Sequence, residues 1–430
     1  MKNILSLLGR RIQRHWGQVM SWLASNEAAL ACGEPFFTLL GRRSRQRPYD
    51  LSEVRHILVV RLDDIGDLVL STPFLRNLRT VAPTACITLV VKPSVHDLVQ
   101  HCPYVNEVLI YDPGPLDEAT APDRKWRALR FAARYLWRRR FDAAIVPRWD
   151  ADLYHATLVA YWSGAIWRFG YSEHVIEHKR AMNRGYDRLY SHALFNNALK
   201  HEVERGLDMI RFMGGDAKSP SLQLWTTAAD EERVKHMLEI HGVGTEEVLI
   251  AFGPGAASKT RRWPLNKFVE LGKWLQQTRG ARIVIVGGPE EVSIGRTLEQ
   301  SLGGGVINAV GVTSLRELAV LLKACALFIG SDSGPMHVAA AAGVPVVEIS
   351  CHPANGNPHL SNSPCRFGPW GVVSAIVQPE TGAGSCRDSC TINEAHCIRN
   401  VEVAAVQKAV TACLLKTPSS PMQLAARVSA

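Results

Sequence analysis

The 430-residue sequence has no long run of uncharged apolar residues. A membrane-spanning helix needs about 20 predominantly apolar residues, so we expect none in this chain. The apolar amino terminus is interrupted by Arg10, Arg11 and Arg14. Because these charges break the apolar core that a secretory signal peptide requires, the expected location is the cytoplasm.

Aromatic residues make up only 7% of the chain, and neither an aromatic RNA-binding signature nor zinc-finger spacing occurs. Nucleic acid is therefore not an expected partner. The 49 basic residues nevertheless exceed the 40 acidic ones and leave a formal charge of +9. This charge favours an anionic partner such as a phosphorylated substrate or a membrane surface. The absence of a P-loop, an HExxH motif and a Ser-His-Asp elbow argues against the enzymes that these motifs identify.

The ten cysteines do not form the disulfide framework of a small secreted domain. Near the carboxyl end, Cys386, Cys390, His396 and Cys397 form the pattern C-x3-C-x5-H-C. Zinc binding is one interpretation, although the spacings differ from those of the usual structural zinc sites. Reduced thiols that pack a loop are the other. We predict no cofactor and no metal in the active site.

Residues 1–50 are predicted to form a basic, amphipathic extension. Within residues 2–25, apolar side chains recur at helical spacing on one side, while Arg10 and Arg14 lie on the opposite side. The sequence RRSRQR at residues 42–47 adds a second basic run. Such a helix is suited to the headgroup region of an anionic bilayer or to packing on its own domain, and both interpretations stay open.

Short apolar runs and helical patterns alternate through the rest of the chain, which predicts an α/β protein with parallel sheets. We expect two Rossmann-like domains, over residues 51–220 and 221–416, and a flexible tail over residues 417–430. The clearest predicted strands cover residues 56–60, 87–92, 107–111, 141–146, 247–252, 282–286, 326–329 and 344–349. Helices are expected over residues 67–79, 148–162 and 201–214, among others.

Three aspartates follow the first predicted strand. Gly66 allows a close backbone approach, and Asp67 would project its carboxylate from the amino end of the following helix. A carboxylate in a cleft between domains can take the proton of an attacking hydroxyl group, so Asp67 is the candidate general base. Asp63 and Asp64 stand close by as alternatives. The ordinary role of an aspartate at this place is an N-cap or a partner of the helix dipole.

The stretch from residue 326 to 348 predicts a strand, a glycine-rich turn, a helix and a second strand. In open α/β sheets, ligands bind at such turns, where free backbone N–H groups suit a phosphate. The turn offers two hydroxyl groups from Ser331 and Ser333, and His337 lies one turn into the helix. An ordinary serine-capped turn explains the same residues.

Two further loops in the second half carry charged side chains after predicted strands. Cations that follow a Gly-Pro-Gly turn would neutralise a diphosphate leaving group, and a solvated basic turn is the alternative interpretation. The residues of this turn are Ser258, Lys259, Arg261 and Arg262. Glu290 and Glu291 follow the next strand, where an acidic group can accept from ribose hydroxyls or simply begin a helix. Of the two, Glu291 is preferred.

These blocks resemble glycosyltransferase family 9, the lipopolysaccharide heptosyltransferases. The resemblance covers about residues 55–410 and rests on RLDDIGDLVLSTPFLRNLR (61–79), FGPGAASKTRRWPLNKF (252–268), VGGPEE (286–291), GVTSLRELAVLLKACALFIGSDSGPMHVAAAAGVPVVEI (311–349) and CRDSCTINEAHCI (386–398). It implies a GT-B fold, in which two facing Rossmann-like domains bind the acceptor and the donor on either side of a cleft. It also implies inverting, metal-independent transfer of a sugar, typically heptose from ADP-heptose, to a lipopolysaccharide core or related envelope glycan. We expect such an enzyme at the inner face of the inner membrane.

The resemblance implies roles for individual residues as well. Asp67 corresponds to the base, and Arg261 corresponds to a phosphate-binding cation that is a lysine in better-known members. Glu291 would bind the ribose, and the backbone around Thr313 would line the adenine pocket. The full set of expected donor-binding residues is Ser258, Glu291, Thr313, Ser331, Asp332, Ser333, Gly334 and His337. No acceptor-binding residue is assigned.

Two other functions are open at this stage. One is a GT-B enzyme of the nucleotide-sugar epimerase type, which would convert the donor without an acceptor. The other is a non-catalytic assembly protein that binds a nucleotide sugar and transfers nothing. The presence of both Asp67 and Arg261 argues against the second of these.

Overall fold

The computed structural model describes residues 26–40, 49–116, 121–382, 386 and 392–416. The predicted amphipathic helix, the basic run and the tail lie outside the described residues, and so does Cys390. None of the described helices is long and apolar enough to cross a bilayer.

The first half of the chain forms a six-stranded, fully parallel sheet. Its strands are β1 (His56–Arg61), β2 (Cys86–Val91), β3 (Glu107–Ile110), β4 (Ala143–Val146), β5 (Trp167–Tyr171) and β6 (His192–Leu194). The order across the sheet is β3-β2-β1-β4-β5-β6. Ile57 of β1 pairs with Ile87 on one side and with Ala143 on the other. The direction of the strand order therefore changes between β1 and β4.

The second half forms another six-stranded parallel sheet. Its strands are β7 (Leu249–Gly253), β8 (Arg282–Ile285), β9 (Ile307–Asn308), β10 (Leu327–Ser331), β11 (Val346–Ile349) and β12 (Ser374–Val377). The order β12-β11-β10-β7-β8-β9 repeats the connectivity of the first sheet, with the change of direction between β7 and β10. The prediction of two Rossmann-like domains is confirmed.

Helices connect successive strands and cover the sheets. In the first half they are α1 (Asn26–Leu39), α2 (Ile65–Leu70), α3 (Thr72–Val81), α4 (His96–Val99), α5 (Ala121–Phe131), α6 (Ala156–Trp162), α7 (Glu177–Met182) and α8 (Glu202–Phe212). In the second half they are α9 (Ala228–Ile240), α10 (Leu265–Arg279), α11 (Val292–Leu302), α12 (Leu315–Lys323), α13 (Gly334–Ala341), α14 (Pro364–Phe367) and α15 (Val403–Lys416).

The central strands are buried on both faces. Every residue of β4, β7 and β10 is buried, and so is every residue of β1 except the first. A parallel sheet with helices on both faces has no solvent side, so its strands need continuous apolar runs instead of alternating ones. This is why these strands were recognisable in the sequence.

The predicted helix over residues 67–79 is in fact two helices, α2 and α3, separated at Ser71. Pro73 has no N–H group with which to continue the helical hydrogen bonds to Val69. The Val69 carbonyl instead accepts from the Thr72 hydroxyl at 2.8 Å, and the Ser71 hydroxyl donates to the Asp67 carbonyl at 2.7 Å. The break makes α2 a short helix that directly follows the central strand β1.

The structure of residues 147–200 differs from the prediction. The helix predicted over residues 148–162 is wrong in its first half, since α6 begins only at Ala156. The Asp152 carboxylate accepts from the backbone N–H groups of Ala156 and Thr157 and so caps the shorter helix. The strands β5 and β6, which no prediction covered, complete the sheet in this region.

The described part of the amino-terminal extension packs on the first domain. Phe37 of α1 is fully buried, and the Tyr161 hydroxyl donates to the Ala29 carbonyl at 3.1 Å. A Cβ atom on Gly33 would lie 2.6 Å from the same hydroxyl oxygen, so the helix and α6 are in close contact. Packing on its own domain therefore applies to residues 26–39.

Candidate active site

Four loops follow strands at the points where the strand order changes direction, and three of them carry predicted site residues. In the first domain, Asp67 follows β1, and Arg148 follows β4. In the second domain, Arg261 follows β7, and the segment Asp332–His337 follows β10. The carboxyl ends of strands at such switch points are the usual ligand sites of open α/β sheets. The topology therefore places the candidates of each domain in its binding crevice.

In the first domain, Asp67 belongs to a compact group of charges. Its carboxylate lies 3.4 Å from the Arg61 guanidinium and 3.9 Å from that of Arg148. The same two arginines contact the buried carboxylate of Asp63, with an Arg61–Asp63 distance of 3.0 Å. The Asp67 side chain keeps 22% of its surface exposed, whereas that of Asp63 keeps 4%. Asp67 is thus the carboxylate that a substrate can reach.

The two carboxyl groups differ in proton affinity. Burial raises the pKa of Asp67 to about 6, and the nearby Asp63 carboxylate adds to the increase, while Arg61 and Arg148 oppose it. Burial also disfavours ionisation of Asp63, but Arg148 and Arg61 outweigh this effect and hold its pKa below the usual range. A pKa near the working pH suits a general base, because the group is largely ionised yet accepts a proton readily.

Asp64 has a different position. Its carboxylate pairs with Lys92, and its side chain is 74% exposed. An exposed carboxylate that pairs with a lysine at the start of α2 is an ordinary arrangement of such a residue. Among the described residues, Arg61 and Arg148 pair with Asp63 and Asp67 but not with Asp64, so Asp64 serves as a matched control for Asp67.

In the second domain, Arg261, Asp332 and His337 form a chain of contacts. Arg261 ends a short 3-10 helix, Lys259–Arg261, and its guanidinium donates to the Asp332 carboxylate at 3.1 Å. The other oxygen of Asp332 lies 3.6 Å from His337 Nε2. Burial disfavours ionisation of Asp332, but Arg261 and His337 together hold its pKa below the usual range. The carboxylate is therefore charged and orients both Arg261 and His337.

The turn itself combines backbone and hydroxyl groups. Ser333 precedes α13 as its N-cap residue, and its hydroxyl donates to the Ser331 carbonyl at 3.1 Å. Ser331 Oγ and His337 Nδ1 are buried and have no hydrogen-bond partner among the described residues. Both atoms therefore retain their hydrogen-bonding capacity at this turn. Together with the N–H group of Gly334, the first residue of α13, they can hold an anion.

The two domains touch where these loops meet. A Cβ atom on Gly66 would lie 2.5 Å from His337 Cδ2, and a Cβ atom on Gly334 would lie 2.9 Å from that of Ile65. Glycine is needed at both positions because any side chain would push α2 and α13 apart. Asp67 is the residue after Gly66, so the structure brings the predicted base and the predicted diphosphate turn together.

The remaining predicted donor residues lie on neighbouring loops of the second domain. Glu291 accepts from the Gly288 N–H at 3.0 Å, and its carboxylate packs so closely on Gly255 that a Cβ atom there would lie within 1.8 Å. Ser258 caps the 3-10 helix that carries Arg261. Thr313 is half-buried and immediately precedes the N-cap of α12. Glu291 thus joins the loops after β7 and β8, while its predicted contact with a ribose stays a prediction.

The sequence analysis missed several charged residues of the site. Arg61 is the last residue of β1 and Arg148 follows β4 by two positions, so a basic residue directly at a buried strand end was the available signal. Glu348 of β11 is fully buried, and burial raises its pKa well above the usual range, with the Asp332 carboxylate adding to the effect. An acidic residue inside the apolar run VPVVEIS was the signal for this buried neighbour of Asp332.

A second contact between the domains was also missed. Arg366 of α14 is fully buried and donates to Glu202 at 2.7 Å and to Asp150 at 3.0 Å. Its guanidinium lies 4.7 Å from the centre of the Trp149 ring. Because Glu202, Asp150 and Trp149 belong to the first domain, this arginine of the second domain fastens the two domains beside the site.

Comparison with known proteins agrees with this arrangement. The family model of glycosyltransferase family 9 (heptosyltransferase) matches residues 129–394, more than half of the chain. Lipopolysaccharide heptosyltransferase 2 of Salmonella typhimurium is 26% identical over 306 residues, which cover 68% of this chain and 82% of that protein. The protein of the same name from Escherichia coli shows the same identity and coverage.

A solved structure supports the fold. The chain is similar to a family 9 glycosyltransferase from Veillonella parvula with a TM-score of 0.70 and 21% identity, over 86% of this chain and 99% of that one. Such a likeness at low identity establishes the arrangement of two Rossmann-like domains, while the family itself follows from the sequence match. The chain belongs to glycosyltransferase family 9, the heptosyltransferase family, and is a glycosyltransferase.

Proposed function

We propose that this protein transfers heptose from ADP-heptose to a lipopolysaccharide core or a related envelope glycan, with inversion at the anomeric carbon. The proposal rests on the contact between Gly66 and His337. This contact brings Asp67, whose pKa is raised to about 6, close to a turn that can bind an anion. The names of the relatives, lipopolysaccharide heptosyltransferase 2 in both cases, support the choice of sugar and acceptor.

In the proposed mechanism, the acceptor binds to the domain of residues 51–220, and Asp67 removes the proton of its hydroxyl group. The oxygen attacks the anomeric carbon as the bond between this carbon and the diphosphate breaks. The nucleoside diphosphate leaves with the bonding electrons, and Asp67 holds the proton. Arg61 and Arg148 keep the carboxylate ionised before the attack, because they oppose the effect of burial on its pKa.

The domain of residues 221–416 binds the donor. Arg261 neutralises the charge that develops on the leaving diphosphate, and the turn from Ser331 to His337 holds the phosphate oxygens with backbone N–H, hydroxyl and imidazole groups. Asp332 keeps Arg261 and His337 in place. Glu291 binds the ribose, and the backbone at Thr313 lines the base pocket. No metal is used, since Arg261 and the turn supply the positive charge.

The acceptor proposed here is a membrane-anchored glycolipid, so we propose that the enzyme works at the inner face of the inner membrane. The arginines at positions 10, 11 and 14 and the basic run at residues 42–47 support this location, because basic segments are attracted to anionic headgroups.

The donor is tested by thermal shift with ADP, UDP, GDP and CMP. A nucleotide at 100 times its Kd stabilises a protein by about 2.7 kcal/mol, so the preferred base gives the largest rise in Tm. We expect ADP to give it. A larger rise with UDP or GDP would contradict ADP-heptose as donor.

The reaction is tested by incubating the protein with ADP-heptose, with and without a heptose-deficient lipopolysaccharide acceptor. We expect release of ADP and extension of the acceptor only when both substrates are present. Conversion of the donor alone would point to an epimerase, and binding without turnover would point to a non-catalytic protein.

A further inference from the structure

The carboxyl-terminal part of the second domain holds a compact group of metal-ligand side chains outside the active site. The ligand atoms of Cys386, His396 and Cys397 all lie within 4.8 Å of one another. Cys386 Sγ is 2.8 Å from His396 Nε2, and both cysteines are buried, with 5% and 2% of their surfaces exposed. Sulfur and nitrogen ligands lie about 2.0–2.3 Å from a tetrahedral Zn²⁺ and hence about 3.3–3.8 Å from one another, and small movements of the three side chains reach these separations. The group has the dimensions of a metal site.

The histidine ring is held in the orientation that a metal ligand needs. His396 Nδ1 donates to the Glu394 carbonyl at 2.8 Å, and a carbonyl oxygen only accepts hydrogen bonds. The proton of a neutral ring is therefore on Nδ1, and the lone pair of Nε2 points toward Cys386 Sγ. Metal-binding histidines are commonly fixed in this way, by a hydrogen bond from the nitrogen that does not bind the metal.

The residues around this group connect it to the loop that carries Arg261. Cys397 begins a 3-10 helix, Cys397–Asn400, and the carbonyl of Val401 just after it accepts from Trp263 Nε1 at 2.9 Å. Lys267 Nζ donates to the same carbonyl at 2.9 Å. The segment therefore packs behind the loop that carries the donor-binding cation, Arg261. A metal ion that holds Cys397 in place would therefore also restrict the movement of the Arg261 loop.

We propose that Cys386, His396 and Cys397 bind Zn²⁺ in a structural site that supports the Arg261 loop. Two thiolates and one neutral imidazole are a donor set that Zn²⁺ prefers. Binding releases the two thiol protons to solvent, and nothing is oxidised or reduced. The ion takes no part in sugar transfer, so this inference stands whether or not the donor is ADP-heptose.

The test is the zinc content of the full chain, purified under reducing conditions without a histidine tag. By mass spectrometry of the metals we expect about one zinc per chain, and less than about 0.2 in each of Cys386→Ser and Cys397→Ser, since loss of a thiolate ligand weakens a structural site severely. Cys86→Ser is the matched control, because Cys86 lies at the start of β2 in the other domain, and it should keep its zinc.

A second measurement uses the wild-type chain, so it tests the proposal even if the serine variants fail to fold. Replacement of the ion by Co²⁺ should produce thiolate-to-cobalt charge-transfer absorption. Zinc-free protein that takes up neither ion, a disulfide between Cys386 and Cys397, or serine variants that keep their zinc would each overturn the proposal. Loss of zinc with a matching fall in Tm would support it.

Discussion

The loops at the two switch points have the same place in two sheets of identical strand order, but their chemistry differs. The loops after β1 and β4 surround Asp67 with two arginines and a second carboxylate. The loops after β7 and β10 instead place one arginine beside a glycine- and serine-rich turn at the start of a helix. The first arrangement shifts the pKa of a side chain, whereas the second offers an anion the charge of Arg261 and the unpartnered polar atoms of Ser331 and His337.

In the proposed mechanism, this difference divides the reaction between the two halves of the fold. A general base must change its protonation state, so its environment balances burial against nearby charges. A site for a leaving diphosphate must keep its charge and shape, so Asp332 fixes Arg261 and His337 in place. The contact between Gly66 and His337 then sets the distance between the two functions.

The largest expected effect comes from removing the base. Asp67→Asn should lower kcat by about 10³-fold and leave the KM for the donor within about twofold, because only proton transfer is lost. Since burial disfavours the charged form, the neutral asparagine should not lower Tm at neutral pH. Steady-state kinetics measure kcat and KM, and a thermal melt measures Tm. The matched control is Asp64→Asn at the exposed carboxylate, and unchanged turnover in Asp67→Asn would exclude Asp67 from the mechanism.

The next effect concerns the cation of the other half. Arg261→Ala should lower kcat/KM by about 10²-fold, because the developing diphosphate charge loses its partner. Arg261→Lys should recover most of this loss, since the charge is kept. The control is Lys273→Ala on the exposed side of α10. Equal activity of Arg261→Ala and the control would show that the second half does not use this cation.

A methyl group between the two halves should have a smaller effect. Gly66→Ala places a Cβ atom 2.5 Å from His337 Cδ2, so the base and the turn must separate by part of an ångström. We expect kcat to fall by about 30-fold, because small misplacements of reacting groups are costly. Gly244→Ala is the control, since a Cβ atom there meets nothing within 4 Å. A normal kcat in Gly66→Ala would show that the contact opens during the reaction.

The pH dependence of kcat/KM should show the smallest effect. It distinguishes whether Asp67 or Asp63 is the base. With Asp67 as base, kcat/KM should be half-maximal at about pH 6 and fall about tenfold per unit below it. The pKa of Asp63 is lowered, so a profile that stays flat to below pH 4 would assign the base to Asp63. In stability, the raised pKa of Asp67 favours the folded state below about pH 4, and this contribution is lost as the pH rises through 6.

Much of the fold could be predicted because buried parallel strands require continuous apolar runs, which are visible in the sequence. The strands β1, β7 and β10 are continuous apolar runs followed by glycine- or aspartate-rich loops. The strands β5 and β6 have no such apolar run, since β5 contains Arg168 and β6 is only three residues long. Arg168 donates to the Leu189 carbonyl, a partner that only the folded chain supplies.

The sequence by itself determined the two α/β halves, the loops after strands that carry the candidate residues, and the family. Patterning and glycine positions are local properties, so they can be read without coordinates. Only the tertiary structure decided that Arg61, Arg148 and Asp63 surround Asp67, that Gly66 touches His337 and that Arg366 fastens the domains. The pKa of Asp67 depends on burial and on charges from other loops, and it is therefore a property of the folded chain alone.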